Sequence, residues 1–344
     1  MKKQIKFGAL ALLAISSLLT PASLIAQSKS GFKVLKKISI KSPGGWDYIT
    51  VDGPGKKVYV SHGAQVNIMS TNGDSLGVIT GTKGVHGIAL AKSLNKGYTS
   101  NGADNSITVF DLTTYKTITT IPAGTNPDAI FYDPYSKKVY AFNGRSKDAT
   151  VVDATTDKVV ATIPLGGKPE TGVSDEKGKI FVNSETTNEI VVLDAKTDKE
   201  IHRYKIEKGD EPSGLAIDVA THRLFIGCGG NKTMVVMDGD NGKNLANIPI
   251  GGCDGVAFDP ILKQAYSSNG EGTMSVIKEV NANKFELVED VPTERSARTI
   301  GIDVVTHHLF LPAAEMTPVA PTAEAPHPRP KMVPGSFHIV EVGK

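Results

Sequence analysis

The chain has 344 residues, with 38 basic and 36 acidic side chains and 6% aromatics. Without Lys2, Lys3 and Lys6 the balance is 35 basic to 36 acidic. That near-neutrality argues against a nucleic acid or an anionic membrane found through bulk charge.

Residues 1–26 read as a secretory signal peptide. Lys2, Lys3 and Lys6 form a positive start, Phe7 to Leu19 is apolar, and small residues lead to a cut after Ala26. The apolar run is shorter than the roughly 18–20 residues that a membrane span needs. The expected location of the mature protein is the periplasm or the outside of the cell.

From residue 27 on, the sequence is one repeat. In Asn126 to Gly167 four short apolar runs alternate with turn formers: Ala129–Tyr132, Lys138–Phe142, Thr150–Asp153 and Lys158–Leu165. Runs of this length rich in Val, Ile, Tyr and Phe are strands. Asp-Pro, Asn-Gly and Thr-Asp segments between them supply the turns. The Asp closing the first strand recurs as Asp52, Asp133, Asp175, Asp218, Asp259 and Asp303, with Ala91 in the one gap. The steps are 39, 42, 42, 43, 41 and 44 residues. Seven such units predict an all-β, seven-bladed β-propeller with four antiparallel strands per blade, occupying 27–344 as a single domain.

Phe32 to Ile40 has the pattern of a fourth strand and precedes the first complete unit. Ser336 to Val342 has the pattern of a third strand, and the last unit lacks a fourth. The N-terminal strand is therefore expected to join the C-terminal blade and close the ring. Between the second and third strands of that blade lies 312–335, in which seven of 24 residues are proline. Proline lacks a backbone donor and fixes φ, so this insertion reads as an extended loop without strands, either a surface excursion or a lid over the ring.

The units resemble the YVTN β-propeller repeat family, through Val139-Tyr140-Ala141-Phe142-Asn143-Gly144, Val58-Tyr59-Val60-Ser61 and the run from Val151-Val152-Asp153-Ala154 to Ala161-Thr162-Ile163-Pro164. The resemblance spans about 32–344. It implies the propeller fold and an exported protein. Relatives of this kind include surface proteins, propellers implicated in nucleic-acid binding, lactonase-like enzymes and a haem-binding nitrite reductase propeller. No catalytic motif of the last two is matched.

A site is expected where the loops before each first strand and after each second strand surround the axial channel. Five residues before each closing Asp stand Asp47, His86, Asp128, Glu170, Ser213, Asp254 and Arg298. After each second strand stand His62, Asn101, Asn143, Ser184, Cys228, Asn269 and Ala313. Carboxylates with histidine can hold a divalent cation, and Arg298 can grip an anionic group. The alternative is that these are solvated turn residues bonding their own backbone. Trp46 either lines the mouth as a stacking surface or plugs the junction between the last and first blades. Cys228 and Cys253 fall on the same face in neighbouring blades, and in an exported protein a disulfide is expected. His307-His308 falls on the other face and reads as structural.

The expected function is an exported module that binds a small polar ligand or a protein partner through this polar mouth. A lactonase-like hydrolase or an oxidoreductase using the same face stays open. An acidic ring with few aromatics disfavours nucleic acid there.

Overall fold

A computed structural model describes residues 1, 30–321, 328 and 330–344. The leader, residues 1–26, lies outside the described residues apart from Met1.

Seven four-stranded antiparallel sheets form the seven blades. Blade 3 shows the plan. Its strands are Pro127–Asp133, Lys138–Asn143, Asp148–Asp153 and Lys158–Pro164, paired in sequence order. Blades 1, 2, 4, 5 and 6 repeat it, starting with the inner strands Trp46–Asp52, Val85–Ala91, Pro169–Ser174, Pro212–Asp218 and Cys253–Asp259. Blade 7 combines Gly301–Asp303, His308–Ala313 and His338–Gly343 with Lys33–Ser39 as its outermost strand. Lys33 faces Gly343 and Ser39 faces His338, so both ends of the chain meet in one blade as expected.

A single blade is apolar on both faces, because its second and third strands are buried from end to end, as in Val139–Asn143 and Ile190–Leu193. Stacking against neighbours is the way to bury both faces. The core accordingly divides into seven clusters, one per blade interface. Tyr140, Val151, Ile180 and Val191 join blades 3 and 4. Ile49, Val58, Phe310 and Ile339 join blades 1 and 7.

The recurring Asp has a local cause. Asp133, Asp175, Asp218, Asp259 and Asp303 each accept a backbone N–H two or three residues on, fixing the turn into the second strand. Blade 2, with Ala91 there, turns instead through a short 3-10 segment, Lys92–Leu94, closed by Asn95 in the left-handed region.

The proline-rich insertion departs from expectation. Met316–Thr317 pairs with Lys331–Met332 as a small antiparallel ladder. The carbonyl of Glu315 accepts the Val333 N–H at 2.8 Å. Met316, Thr317, Lys331 and Met332 are not prolines, so each backbone keeps the donor that proline lacks. Residues 322–327 and 329 lie outside the described residues.

Candidate functional site

Six of the seven register-matched residues project toward one space because of a shared irregularity in the inner strands, and Arg298 reaches it from the segment before the inner strand of blade 7. Pairing between the first and second strands breaks register between Trp46 and Ile49, Val85 and Ile88, Pro127 and Ile130, Pro169 and Gly172, Pro212 and Gly214, and Cys253 and Gly255. Asp47, His86, Asp128, Glu170, Ser213 and Asp254 sit inside these breaks. A bulge frees a residue from the ladder and re-aims its side chain. Here it turns one polar side chain toward the axis in each of six blades.

Contacts run from blade to blade around the mouth. The Ser213 hydroxyl donates to Asp254 Oδ1 at 2.6 Å. The Arg298 guanidinium donates to Asp254 Oδ2, and reaches Asp47 Oδ1 at 3.4 Å and the Trp46 carbonyl at 3.5 Å. His86 Nδ1 lies 2.6 Å from Asp47 Oδ2 and 3.7 Å from Asp128 Oδ1. An ionised carboxylate only accepts, so Nδ1 carries the proton in this contact. Glu170 is held by Lys168, whose ammonium lies 2.6 Å from both Glu170 Oε1 and Glu185 Oε2.

Burial and crowding shift these groups. Burial, with the Asp128 charge beside it, pushes Glu170 up to about 8 in spite of the Lys168 ammonium. Burial, with Asp47 nearby, pushes Asp128 up to about 6, and His86 only partly offsets this. Burial opposes the charge on His86, yet the bond to Asp47 and the Asp128 and Asp47 charges prevail, and its pKa is raised. Burial likewise opposes the charge on Lys168, and Glu170 and Glu185 outweigh it. The site thus holds protons that water would remove, the expected result of packing acids together without enough cations.

Asp47, His86 and Asp128 offer one ligand atom each, all within 4.8 Å of one another. Two carboxylates and an imidazole on three blades suit a divalent cation of the zinc or manganese type.

The structure separates the ring from the other sequence-derived candidates. The second-strand ends His62, Asn101, Asn143, Ser184, Cys228, Asn269 and Ala313 are all buried, not exposed at the mouth. The Asn101, Asn143 and Asn269 amides donate to side chains of their own third strands. His62 is a structural residue: Nδ1 meets Ser42 Oγ at 2.5 Å, Nε2 meets the Gly44 carbonyl at 2.7 Å, and its ring stacks on Phe337 at 4.0 Å. Burial lowers its pKa. Trp46 pairs across the ladder with His62 and packs on Phe337 at 5.4 Å, in the cluster joining blades 7 and 1. It is the plug of the two alternatives. His307 and His308 bond Asp259 and Glu341, each at 2.6 Å, consistent with a structural role.

The expected disulfide is absent, and Cys228 and Cys253 are buried free thiols. Strand alternation is the reason. Cys253 Sγ abuts the side of Gly227 from which a Cβ would project. Its neighbour Cys228 therefore points to the opposite face of the blade, where its Sγ lies in the cluster with Ile206 and Val235. Cβ vectors that diverge cannot be bridged without backbone movement.

Tyr48 is the residue that inspection of charges missed. At its register position the other blades carry Gly87, Ala129, Thr171, Gly214, Gly255 and Thr299. One aromatic among six small residues is a readable signal. Tyr48 spans the channel from blade 1 and packs against the cluster of blades 3 and 4. Burial, followed by the charges of Asp128, Glu170, Asp47 and Asp254, raises its hydroxyl well above the ordinary value. It forms the floor beneath the acids, beside a cavity of about 80 Å³.

Comparison with known proteins supports the architecture and leaves the activity open. No family model matches the chain. It is 29% identical over 140 residues to the uncharacterized protein YncE of Salmonella typhimurium, covering 39% of each chain. The likeness thus spans well under half of that relative's length. Among solved structures, hydrazine synthase of Kuenenia stuttgartiensis superposes with a TM-score of 0.69 at 15% identity, over 79% of this chain and 94% of that one. At that identity the likeness is one of fold. The chain is a seven-bladed propeller distantly related to YncE.

Proposed function

We propose that this protein is an exported propeller that binds a divalent cation at its axial mouth, through Asp47, His86 and Asp128, as part of a polar ligand-binding site. The observation that carries this reading is the donor set itself. Two carboxylates and an imidazole from three different blades bring their ligand atoms within 4.8 Å of one another. Glu170 and Asp128, raised to about 8 and about 6, show a deficit of positive charge that a cation would fill. Tyr48 closes the floor, so a cation would enter from the polar side. The leader-like residues 1–26 support export.

Binding would displace protons from Asp128 and His86, so affinity should rise from about pH 5 to about pH 8. The test is titration calorimetry with Zn²⁺ and Mn²⁺ on chelator-stripped protein, with thermal shift alongside. Asp47→Asn and His86→Ala should each weaken binding at least about tenfold, or about 1.4 kcal/mol. Glu200→Gln, on the outer strand of blade 4, is the control. No heat and no thermal shift in the wild type, or an unchanged response in both variants, sinks the cation reading. N-terminal sequencing of the protein recovered outside the cytoplasm should begin at Gln27; an intact Met1 there sinks cleavage.

A further inference from the structure

A second recess lies beside the ring, between the rim segment 293–298 and the insertion. Its volume is about 830 Å³, within the range of small-molecule sites. The insertion's wall is held in place: Ser296 Oγ donates to the Ala314 carbonyl at 2.8 Å, and the Met316–Thr317 ladder stiffens the segment beyond it. Met316, Pro318 and Pro330 give this wall an apolar surface.

The opposite wall carries two arginines. Arg295 is exposed and has no ion-pair partner among the described residues. Arg298, whose side chain is 44% exposed, lines the same space while bonding Asp254 and Asp47 behind it. Lys37 and Glu294 also line it and are paired at 2.6 Å through Glu294 Oε2, the same oxygen that His338 Nε2 meets at 2.8 Å. Glu315 is the remaining acid among the described lining residues. Lys37 is offset by Glu294 and Arg298 by Asp254, which leaves Arg295 as the uncommitted cation of the recess.

We propose that this recess is a binding site for an organic anion with an apolar body, the anionic group on Arg295 and Arg298 and the body against Met316 and the prolines. An arginine fork suits a carboxylate or phosphate by two-point contact, and an apolar wall opposite it selects an amphiphilic molecule over an inorganic ion. The site adjoins the proposed cation through Arg298 and does not depend on it.

The experiment is calorimetry of the full mature chain in chelator, so that failure of the cation site leaves it unaffected. The probes are phenylbutyrate, phenyl phosphate, their neutral alcohols and inorganic phosphate. At least one aryl anion should bind about tenfold or more tightly than its alcohol and than inorganic phosphate. Arg295→Gln should weaken that anion at least about tenfold with an unchanged melting temperature, and Met316→Ser should weaken it while sparing inorganic phosphate. Acid and alcohol binding alike, inorganic phosphate binding as tightly as the aryl anions, no binding by any probe, or an Arg295→Gln variant that binds as the wild type does, each overturns the proposal.

Discussion

Glu170 concentrates the electrostatics of the mouth in one side chain. It is buried, next to Asp128, and raised from an ordinary value near 4.5 to about 8. Between those values the folded chain keeps a proton that the unfolded chain has lost. Stability should therefore fall as pH rises through that window. The cost approaches at most about 1.4 kcal/mol per pH unit. Asp128, raised to about 6, contributes in the same direction only in the lower part of the window. Glu170→Gln should remove most of the slope between about pH 6 and pH 8 and make the variant more stable than the wild type at the upper end. Urea denaturation at the two pH values measures this. Parallel curves for wild type and variant would show that Glu170 ionises normally.

At the scale of the strand, two backbone features decide where side chains go. The inner-strand bulge turns Asp47, His86, Asp128, Glu170, Ser213 and Asp254 toward the axis. Regular alternation in blade 5 turns Gly227 and Cys228 to opposite faces, and so keeps the thiols apart. Burial pushes Cys228 up to about 12 and Cys253 upward as well, so neither is a reactive thiolate at neutral pH. Unreduced protein should show no thiol when native and two when denatured. Denatured, unreduced protein with no reactive thiol would establish the bridge after all. The strand edges also explain a repeated cross-blade tie. Lys96 and Lys138 open their second strands and reach Asp157 and Asp198 of the next blade, each at 2.7 Å.

For the molecule as a whole, the decisive feature is closure. Seven interfaces each carry a cluster, and the last is completed by a strand from the start of the chain. Phe32, Ile38 and Ile40 bury against blade 7 and its neighbours. Deleting 32–40 would expose the His338–Gly343 edge and open two clusters at once. An unpaired strand edge is a template for association. The expected outcome is a loss of about 10 °C or more in melting temperature, together with aggregation on size-exclusion chromatography. A monomer melting like the wild type would show that the ring holds without that strand. Tyr48 acts at this scale too, since it fills the axis. Tyr48→Ala should open the channel and leave the blade interfaces in place, because its six counterparts are already small. A drop in melting temperature as large as that of the strand deletion would make Tyr48 part of the core instead.

The amino-acid sequence by itself determined the architecture, because a propeller is written in local terms. Strand runs, turn residues and a closing Asp recur at nearly constant spacing, and each Asp acts on a backbone two or three residues away. Register alone also picked out Asp47, His86, Asp128, Glu170, Asp254 and Arg298, since equal positions in equal units meet at the axis. What depends on the path of the backbone in space was decided only by the tertiary structure. The bulge is a shift in pairing between two strands, so it leaves no trace in residue spacing. The burial of His62 and its partners Ser42 and Gly44, the role of Trp46, and the divergence of the two thiols all follow from which face of a blade a side chain takes. The recess beside Arg295 arises where the proline-rich insertion packs beside the segment that leads into the first strand of its own blade. Such a contact belongs to neither segment alone, and only the folded blade brings the two together.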